Sequence, residues 1–207
     1  MSMEEARLHR AQRAFRKVLD AFARPGTVRE IEVAGDGPAA AHLGGALAAA
    51  VELFVDQAVT FAVAGDGSDQ AEEALAAGTR AAATALPRAD FVIASGGAAA
   101  SAEAVRGAGG GTPLSPEKGA TVIILTGRVS EGPGDGLVSC SVSGPGVRDE
   151  NRFYVDDVAW LAARNDRCDE FPCGVDVLLV DDGARVVALP RTSQVRCGKE
   201  AGEPWAM

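Results

Sequence analysis

Residue types that commonly supply catalytic and cofactor sites are scarce in this chain of 207 residues. It has three lysines, Lys17, Lys118 and Lys199, and two histidines, His9 and His42. A Schiff-base lysine needs a partly desolvated pocket, whereas these lysines fall on a predicted exposed helix face, in a loop and in a tail. Neither histidine lies near a nucleophilic serine or cysteine motif. We therefore expect no pyridoxal phosphate or other cofactor and no catalytic residue.

The chain also lacks paired cysteines and long hydrophobic runs. Its four cysteines contain no CxxC pair, and no histidine stands at metal-ligand spacing from them. The N-terminus shows no apolar segment of a signal peptide. The most apolar stretch, residues 39–55, is interrupted by His42 and Glu52 and predicts a buried helix rather than a membrane span. These absences predict a cytoplasmic protein without membrane contact, with no metal site, and with reduced thiols at Cys140, Cys168, Cys173 and Cys197.

Excess positive charge is absent as well. The formal net charge is −9 at pH 7, which disfavours nonspecific binding to nucleic acid. A small anionic ligand would meet the same repulsion, so any site for one needs a local cluster of arginines. Hydrophobic residues make up 47% of the chain, enough for one domain with its own core. We expect a single domain over residues 1–197 and a mobile tail over 198–207.

The hydrophobic periodicity predicts an α/β fold. Apolar spacing indicates helices over residues 4–23, 39–53, 68–78 and 153–164, with Ser68 as an N-cap and Gly78 as a C-terminal stop. Buried strands alternate with these helices, and Asp182-Gly183 is typical of a tight hairpin. The Gly/Pro-rich stretch 107–120 predicts a flexible loop. The element order favours a three-layer α/β/α architecture with a mixed, mostly parallel sheet.

The candidate functional features are three polar turns, "ARPGT" (23–27), "VSGPGV" (142–147) and "LPRTS" (189–193). Each ends a regular element with proline beside glycine or hydroxyl residues, a composition that can direct several backbone N–H groups at one anion. Taken singly, each is also compatible with an ordinary tight turn carrying a solvated arginine. An acid near the third turn, Asp176, is a further candidate. The candidate ligand or interface residues are Arg24, Pro25, Gly26, Ser143, Gly144, Pro145, Gly146, Asp176, Pro190, Arg191, Thr192 and Ser193.

Four segments of the sequence, in the order in which they occur along the chain, resemble the H-subunit family of the bacterial carbon–phosphorus lyase system. The last segment is the most specific, because strand, hairpin and "ALPRT" match together. The resemblance extends over residues 8–196. The departure that matters most is Ala58, where the family commonly has an acid, because it weakens any role for an acidic group at this position. The segments are "FRKVLDAFARPGTV" (15–28), "PEKGATVIIL" (116–125), "VSGPGV" (142–147) and "FPCGVDVLLVDDGARVVALPRTSQV" (171–195).

The resemblance implies a non-catalytic subunit of a phosphonate-degrading core complex with G, I and J subunits. In that system the I subunit couples an alkylphosphonate to the ribose of ATP, and the J subunit cleaves the carbon–phosphorus bond. The H subunit is implied to resemble a pyridoxal-phosphate transferase that lacks the cofactor, and to form a homodimer when isolated. Two alternatives stay open. One is a free-standing phosphonate- or nucleotide-binding module using Arg24 and Arg191, and the other is an independent enzyme with a site around Asp176.

Overall fold

A computed structural model describes residues 3–33, 39–65, 67–168 and 170–198. The helix predicted over 4–23 is confirmed, and the one predicted over 39–53 is divided at Gly44. The helices are α1 (Met3–Ala23), α2 (Ala40–Leu43), α3 (Gly45–Val51), α4 (Ser68–Thr79), α5 (Ala98–Gly107) and α6 (Ala159–Arg167). The strands are β1 (Arg29–Glu30), β2 (Thr60–Ala64), β3 (Ala82–Ala83), β4 (Phe91–Ala94), β5 (Gly110–Thr112), β6 (Ser115–Gly119), β7 (Thr121–Thr126), β8 (Val129–Ser130), β9 (Val138–Ser143), β10 (Asn151–Val155), β11 (Asp176–Asp181), β12 (Arg185–Leu189) and β13 (Gln194–Gly198).

One mixed sheet, which we call the main sheet, forms the centre of the molecule. Its strand order is β1-β12-β11-β7-β4-β2-β3. The pairs from β11 through β7, β4 and β2 to β3 are parallel, while β12 pairs antiparallel with both β11 and β1. The predicted α/β class with a mostly parallel sheet and an antiparallel edge is therefore confirmed.

The two faces of the main sheet are covered differently. Helices α1 to α4 pack on one face, where Val18 and Leu47 belong to the same hydrophobic cluster as sheet residues such as Ile123. On the other face, α5 and α6 share the cover with a second, antiparallel sheet of order β13-β9-β10-β8. The outer layer on this side is thus part helix and part sheet, which refines the predicted α/β/α layering.

The Gly/Pro stretch 107–120 is not the predicted flexible loop. Strands β5 and β6 pair within it as an antiparallel hairpin. The backbone N–H of Gly174 donates to the carbonyl of Gly110 at 2.8 Å, and the Ala120 N–H donates to Gly109. These contacts with the rest of the fold, which composition does not reveal, hold the hairpin in place.

The helix predicted over residues 153–164 is also wrong in its first half. Phe153 to Val155 form strand β10, which pairs with β9 and β8. Consecutive side chains in this run are buried. The helix begins only at Ala159, whose N–H donates to the Asp157 carboxylate at 2.9 Å. A run buried on both faces removes the alternation that identifies a strand.

Helix α4 differs from its predicted ends. Ser68 is its first residue rather than its cap, and Gly78 lies inside it. The helix continues to Thr79 and closes on Arg80, which adopts a left-handed conformation with φ of 63°. Arg80, rather than a glycine, therefore supplies the left-handed residue that ends the helix, and its N–H donates to the Ala76 carbonyl.

The expectation of four reduced thiols is wrong for one pair. Cys140 on β9 and Cys197 on β13 face each other directly in the antiparallel register and form a disulfide. Cysteines 57 residues apart show no pairing in sequence, but the fold makes them cross-strand neighbours. Cys168 and Cys173 remain free thiols.

The hairpin predicted at Asp182-Gly183 is confirmed, with β11 and β12 pairing on either side of it. Within the described residues, no helix combines the length and apolar character needed to cross a membrane. Gly198 ends β13, and the rest of the predicted tail lies outside the described residues.

Candidate functional site

The three candidate turns come together in the fold. The turn after α1 contacts the β9–β10 turn, because the Asn151 side-chain amide donates to the Pro25 carbonyl at 2.8 Å. A methyl group at Gly146 would lie 2.5 Å from the Ala23 carbonyl oxygen, and one at Gly144 would lie 3.1 Å from that of Thr192. The β9–β10 turn therefore packs against both of the others.

Close backbone approach explains the glycines of these turns. Gly26 has φ of 78°, and a methyl group there would lie 2.7 Å from Cγ2 of Val142. Its N–H donates to the Ala188 carbonyl at 3.2 Å, which fixes the end of α1 to strand β12. Pro25 and Gly26 are buried, whereas Gly144, Pro145 and Gly146 are exposed. The junction is built mainly by backbone contacts.

Arg24 is engaged by a carboxylate of its own helix. Its Nη1 pairs with the Asp20 carboxylate one helical turn earlier, and Arg29 binds the same carboxylate through its Nε. These pairs lower the pKa of Asp20, with the hydrogen bond from Arg29 as the largest cause. Arg24 and Arg191 are therefore paired with different carboxylates, Asp20 and Asp176.

Arg191 forms a clasp between three segments. Its Nη2 contacts Oδ2 of Asp176 at 2.6 Å, and its backbone N–H donates to Oδ1 of the same carboxylate at 2.7 Å. Its Nη1 donates to the Pro116 carbonyl at 2.6 Å and its Nη2 to the Gly119 carbonyl at 3.0 Å. The bonds to Asp176 raise the pKa of Arg191. The clasp thus joins β11, the β12–β13 turn and the β5–β6 hairpin.

The guanidinium of Arg191 is nearly saturated by these contacts. Four of its five N–H donors are used, since Nε also donates to Oδ1 of Asp176 at 3.3 Å. A methyl group at Gly119 would lie 2.1 Å from Nη1 of Arg191 and 2.3 Å from the Gly174 carbonyl oxygen. Glycine at position 119 therefore allows the hairpin to approach the clasp.

An open cleft of about 470 Å³ lies beside the clasp. Thr192 and Gln194 are exposed in its wall, whereas Ser193 is buried and its hydroxyl donates to the Pro190 carbonyl at 2.6 Å. Three guanidinium groups line the cleft, those of Arg164, Arg191 and Arg196. The cleft is thus locally positive in a protein of net negative charge.

Arg164 is the buried residue of this group, with 1% of its surface exposed. Its Nη2 donates to the Pro190 carbonyl at 2.6 Å and its Nη1 to Oδ1 of Asn165 at 3.3 Å. Among the described residues it forms no ion pair, and its Nε has no acceptor. Burial lowers the pKa of Arg164. A buried guanidinium with this few partners is unusual.

Sequence reasoning did not find Arg164. Trp160, Ala163 and Arg164 share the buried side of α6, so an arginine stands at an apolar position of a short helix. That position could have signalled a functional residue. The signal was lost because the helix was predicted over 153–164, which put Arg164 at its end.

Comparison with known proteins decides the family. Residues 4–196 match the family described as bacterial phosphonate metabolism protein (PhnH). The chain belongs to this family. A relative from Stutzerimonas stutzeri, named putative C-P lyase subunit protein HtxG, is 32% identical over 190 residues, which cover 90% of this chain and 86% of that protein. The resemblance inferred from the sequence motifs is confirmed.

The family match covers nearly all of the described residues and is not confined to one motif. The match includes α1 and its turn, the β9–β10 turn and the Arg191 clasp, and it ends at Arg196 within β13. The cleft and all the predicted site residues therefore lie inside the family region. Whether any of them contacts a ligand or a partner stays a prediction.

Proposed function

We propose that this chain is a non-catalytic subunit of a carbon–phosphorus lyase core complex. It would support alkylphosphonate ribose triphosphate synthesis and carbon–phosphorus bond cleavage, both carried out by partner subunits. The observation that carries the proposal is the family match over residues 4–196, together with a relative of nearly equal extent that is named as a subunit of such a lyase.

The geometry around Asp176 supports a non-catalytic role. Its carboxylate accepts hydrogen bonds from the backbone N–H, Nε and Nη2 of Arg191. A general base needs a free lone pair within reach of a substrate proton, and this acid is instead used to position Arg191. The contacts therefore favour a subunit role over an independent enzyme built around Asp176.

An exposed apolar stripe on α1 supports an assembly role. Leu8, Phe15 and Leu19 are 58%, 39% and 50% exposed, while Val18 faces the core. The apolar set of this helix is therefore wider than the face it buries, as in helices that also contact other chains. We expect G, I and J subunits as partners, a homodimer when the chain is isolated, and a cytoplasmic location. A fold relationship to cofactor-free pyridoxal-phosphate transferases remains part of this proposal.

Affinity purification tests the proposal directly. A tagged chain is isolated under gentle conditions from a phosphonate-grown, phosphate-starved host, and the co-purifying proteins are identified by mass spectrometry. We expect the G, I and J subunits at stoichiometric levels. A Leu8→Glu/Leu19→Glu variant tests the apolar stripe. Because both positions are exposed, we expect charge there to reduce co-purification of the partner subunits without disturbing the core. Absence of all three subunits from the wild-type preparation would overturn the assembly role.

The alternative of a free-standing module that binds its ligand through Arg24 and Arg191 has less support. Arg24 is paired with Asp20, and Arg191 uses four of its five donors inside the chain. Ligand binding at these two residues would require existing ion pairs to break. The neighbouring arginine, Arg164, does not have this restriction.

A further inference from the structure

We propose that the cleft beside the β12–β13 turn is a binding site for a phosphate-type oxyanion, with Arg164 as its buried anchor. Arg196 and Thr192 line the same cleft and would contact the ligand from its open side. The site differs from the predicted one, because Arg191 serves as the wall of the cleft and not as the anion ligand.

The available donors distinguish the two arginines. Arg164 donates through only two of its five N–H groups to described residues, and one of these bonds, to Asn165, is long at 3.3 Å. Arg191, by contrast, donates through four. An arriving oxyanion therefore finds unused donors on Arg164 and almost none on Arg191.

Charge gives a second reason. Removing a guanidinium from water is costly unless an opposite charge compensates for it. Arg191 has Asp176 as a direct partner. Among the described residues, Arg164 has only a carbonyl and an amide oxygen within hydrogen-bond distance, and the charge of Asp176 acts on it from beyond ion-pair distance. A bound anion would supply compensation in direct contact with Arg164.

The remaining groups of the cleft fit the same ligand class. Arg196 and Thr192 are exposed and add a second cation and a hydroxyl donor. A tetrahedral dianion with three terminal oxygens matches several such donors at once. The volume of about 470 Å³ also admits a substituent larger than a methyl group. The oxyanion class follows from the cleft itself, whereas a phosphonate as the natural ligand rests on the proposed function.

Calorimetric titration of the isolated full-length chain tests the site. Inorganic phosphate, methylphosphonate and ATP are titrated separately, so that the three arms distinguish a free phosphate, a phosphonate and a nucleotide as the source of the oxyanion. We expect at least one to bind to wild type, and Arg164→Met to weaken that binding by tenfold or more, about the effect of losing charged hydrogen bonds. No binding in any arm, or equal affinity in the variant, would overturn the proposal.

Two further variants make the result specific. Arg16→Gln removes one positive charge from an exposed position of α1 on the opposite side of the main sheet, and we expect unchanged affinity. Arg196→Gln alters the open side of the cleft and should weaken binding several-fold. If Arg164→Met fails to fold, as judged by circular dichroism, Arg196→Gln decides the matter, and unchanged affinity in that variant contradicts the site.

This test separates the site from the proposed function. Loss of the other core subunits from the affinity preparation, with anion binding intact, would overturn the assembly role alone. Absence of anion binding with normal co-purification would overturn the cleft alone.

Discussion

Arg164 and Arg191 border the same cleft, yet the fold treats them in opposite ways. Arg191 faces a carboxylate and two backbone carbonyls, which fix its position between three segments. Arg164 is more deeply buried, at 1% exposure, but forms no ion pair with any described residue, and the charge of Asp176 acts on it only from a greater distance. The difference indicates that an arginine in a family motif can be structural, while the one that remains available for a ligand lies outside the motif.

The two arginines also meet at one residue. Arg164 donates to the carbonyl of Pro190, and Arg191 is the next residue along the chain. The Pro190 carbonyl also accepts from the N–H and hydroxyl of Ser193. The β12–β13 turn is therefore held in place by Pro190, Arg191 and Ser193. The clasp in this way fixes the wall of the cleft in which Arg164 would bind an anion.

The largest effect should come from breaking the clasp. Asp176→Ala removes the carboxylate of Arg191 and leaves both its guanidinium and its backbone N–H without their main acceptor. We expect the free energy of unfolding to fall by about 2–4 kcal/mol, measured by urea denaturation. Asp166→Ala, an exposed acid on α6, is the control and should change it by less than about 0.5 kcal/mol. A stable Asp176→Ala variant would show that the clasp contributes little.

A smaller effect is expected from crowding the clasp without removing a charge. The methyl group of Gly119→Ala would lie 2.1 Å from Arg191 and 2.3 Å from a backbone carbonyl, so the hairpin must shift. We expect a loss of about 1–3 kcal/mol in thermal or urea unfolding. Gly132→Ala is a matched control, because a methyl group there meets nothing within 4 Å. Equal stability of the two variants would mean that the hairpin moves away freely.

Arg164→Met should behave unlike either clasp variant. Methionine keeps much of the apolar volume and removes a buried charge, and replacing such groups by apolar residues is often neutral or stabilising. The Pro190 carbonyl keeps its two donors from Ser193. In phosphate-free buffer we expect the free energy of unfolding to stay within about 1 kcal/mol of wild type. A loss as large as that of Asp176→Ala would make Arg164 structural and remove the contrast.

Much of the fold follows from the sequence where the local pattern is decisive. The helix ending at Ala23 and the hairpin at Asp182-Gly183 were predicted correctly, because amphipathic spacing and a two-residue turn signal are local properties. Strand β10 was missed because its consecutive buried side chains hide the alternation that identifies a strand. The β5–β6 hairpin was missed because contacts with Gly174 and Arg191, far along the chain, hold it in place. The Cys140–Cys197 bond depends in the same way on cross-strand register.

The candidate site was predictable only as a set of turns. Proline and glycine at positions 25, 26, 144 and 146 correctly indicated special backbone geometry, and the structure brings these turns together. The sequence could not show that Arg191 is already occupied, because its partners Pro116 and Gly119 are more than seventy residues away. Nor could it show that Arg164 is buried without a carboxylate, which depends on the packing of α6.

The smallest effect on stability should come from an exposed ion pair, which can be compared with the environments of Arg191 and Arg164. Arg13 and Glu32 form an ion pair at 2.7 Å, but their side chains are 56% and 52% exposed. The hydrogen bond from Arg13 lowers the pKa of Glu32, so its stabilising contribution is present above the ordinary glutamate pKa and is lost as the pH falls. Because solvent screens such pairs, we expect Glu32→Gln to change the melting temperature by no more than about 2 °C at neutral pH. A larger fall would mean that the exposed Arg13–Glu32 pair stabilises the protein as much as the Arg191 clasp does. Solvent exposure would then not explain the difference that we expect between the two pairs.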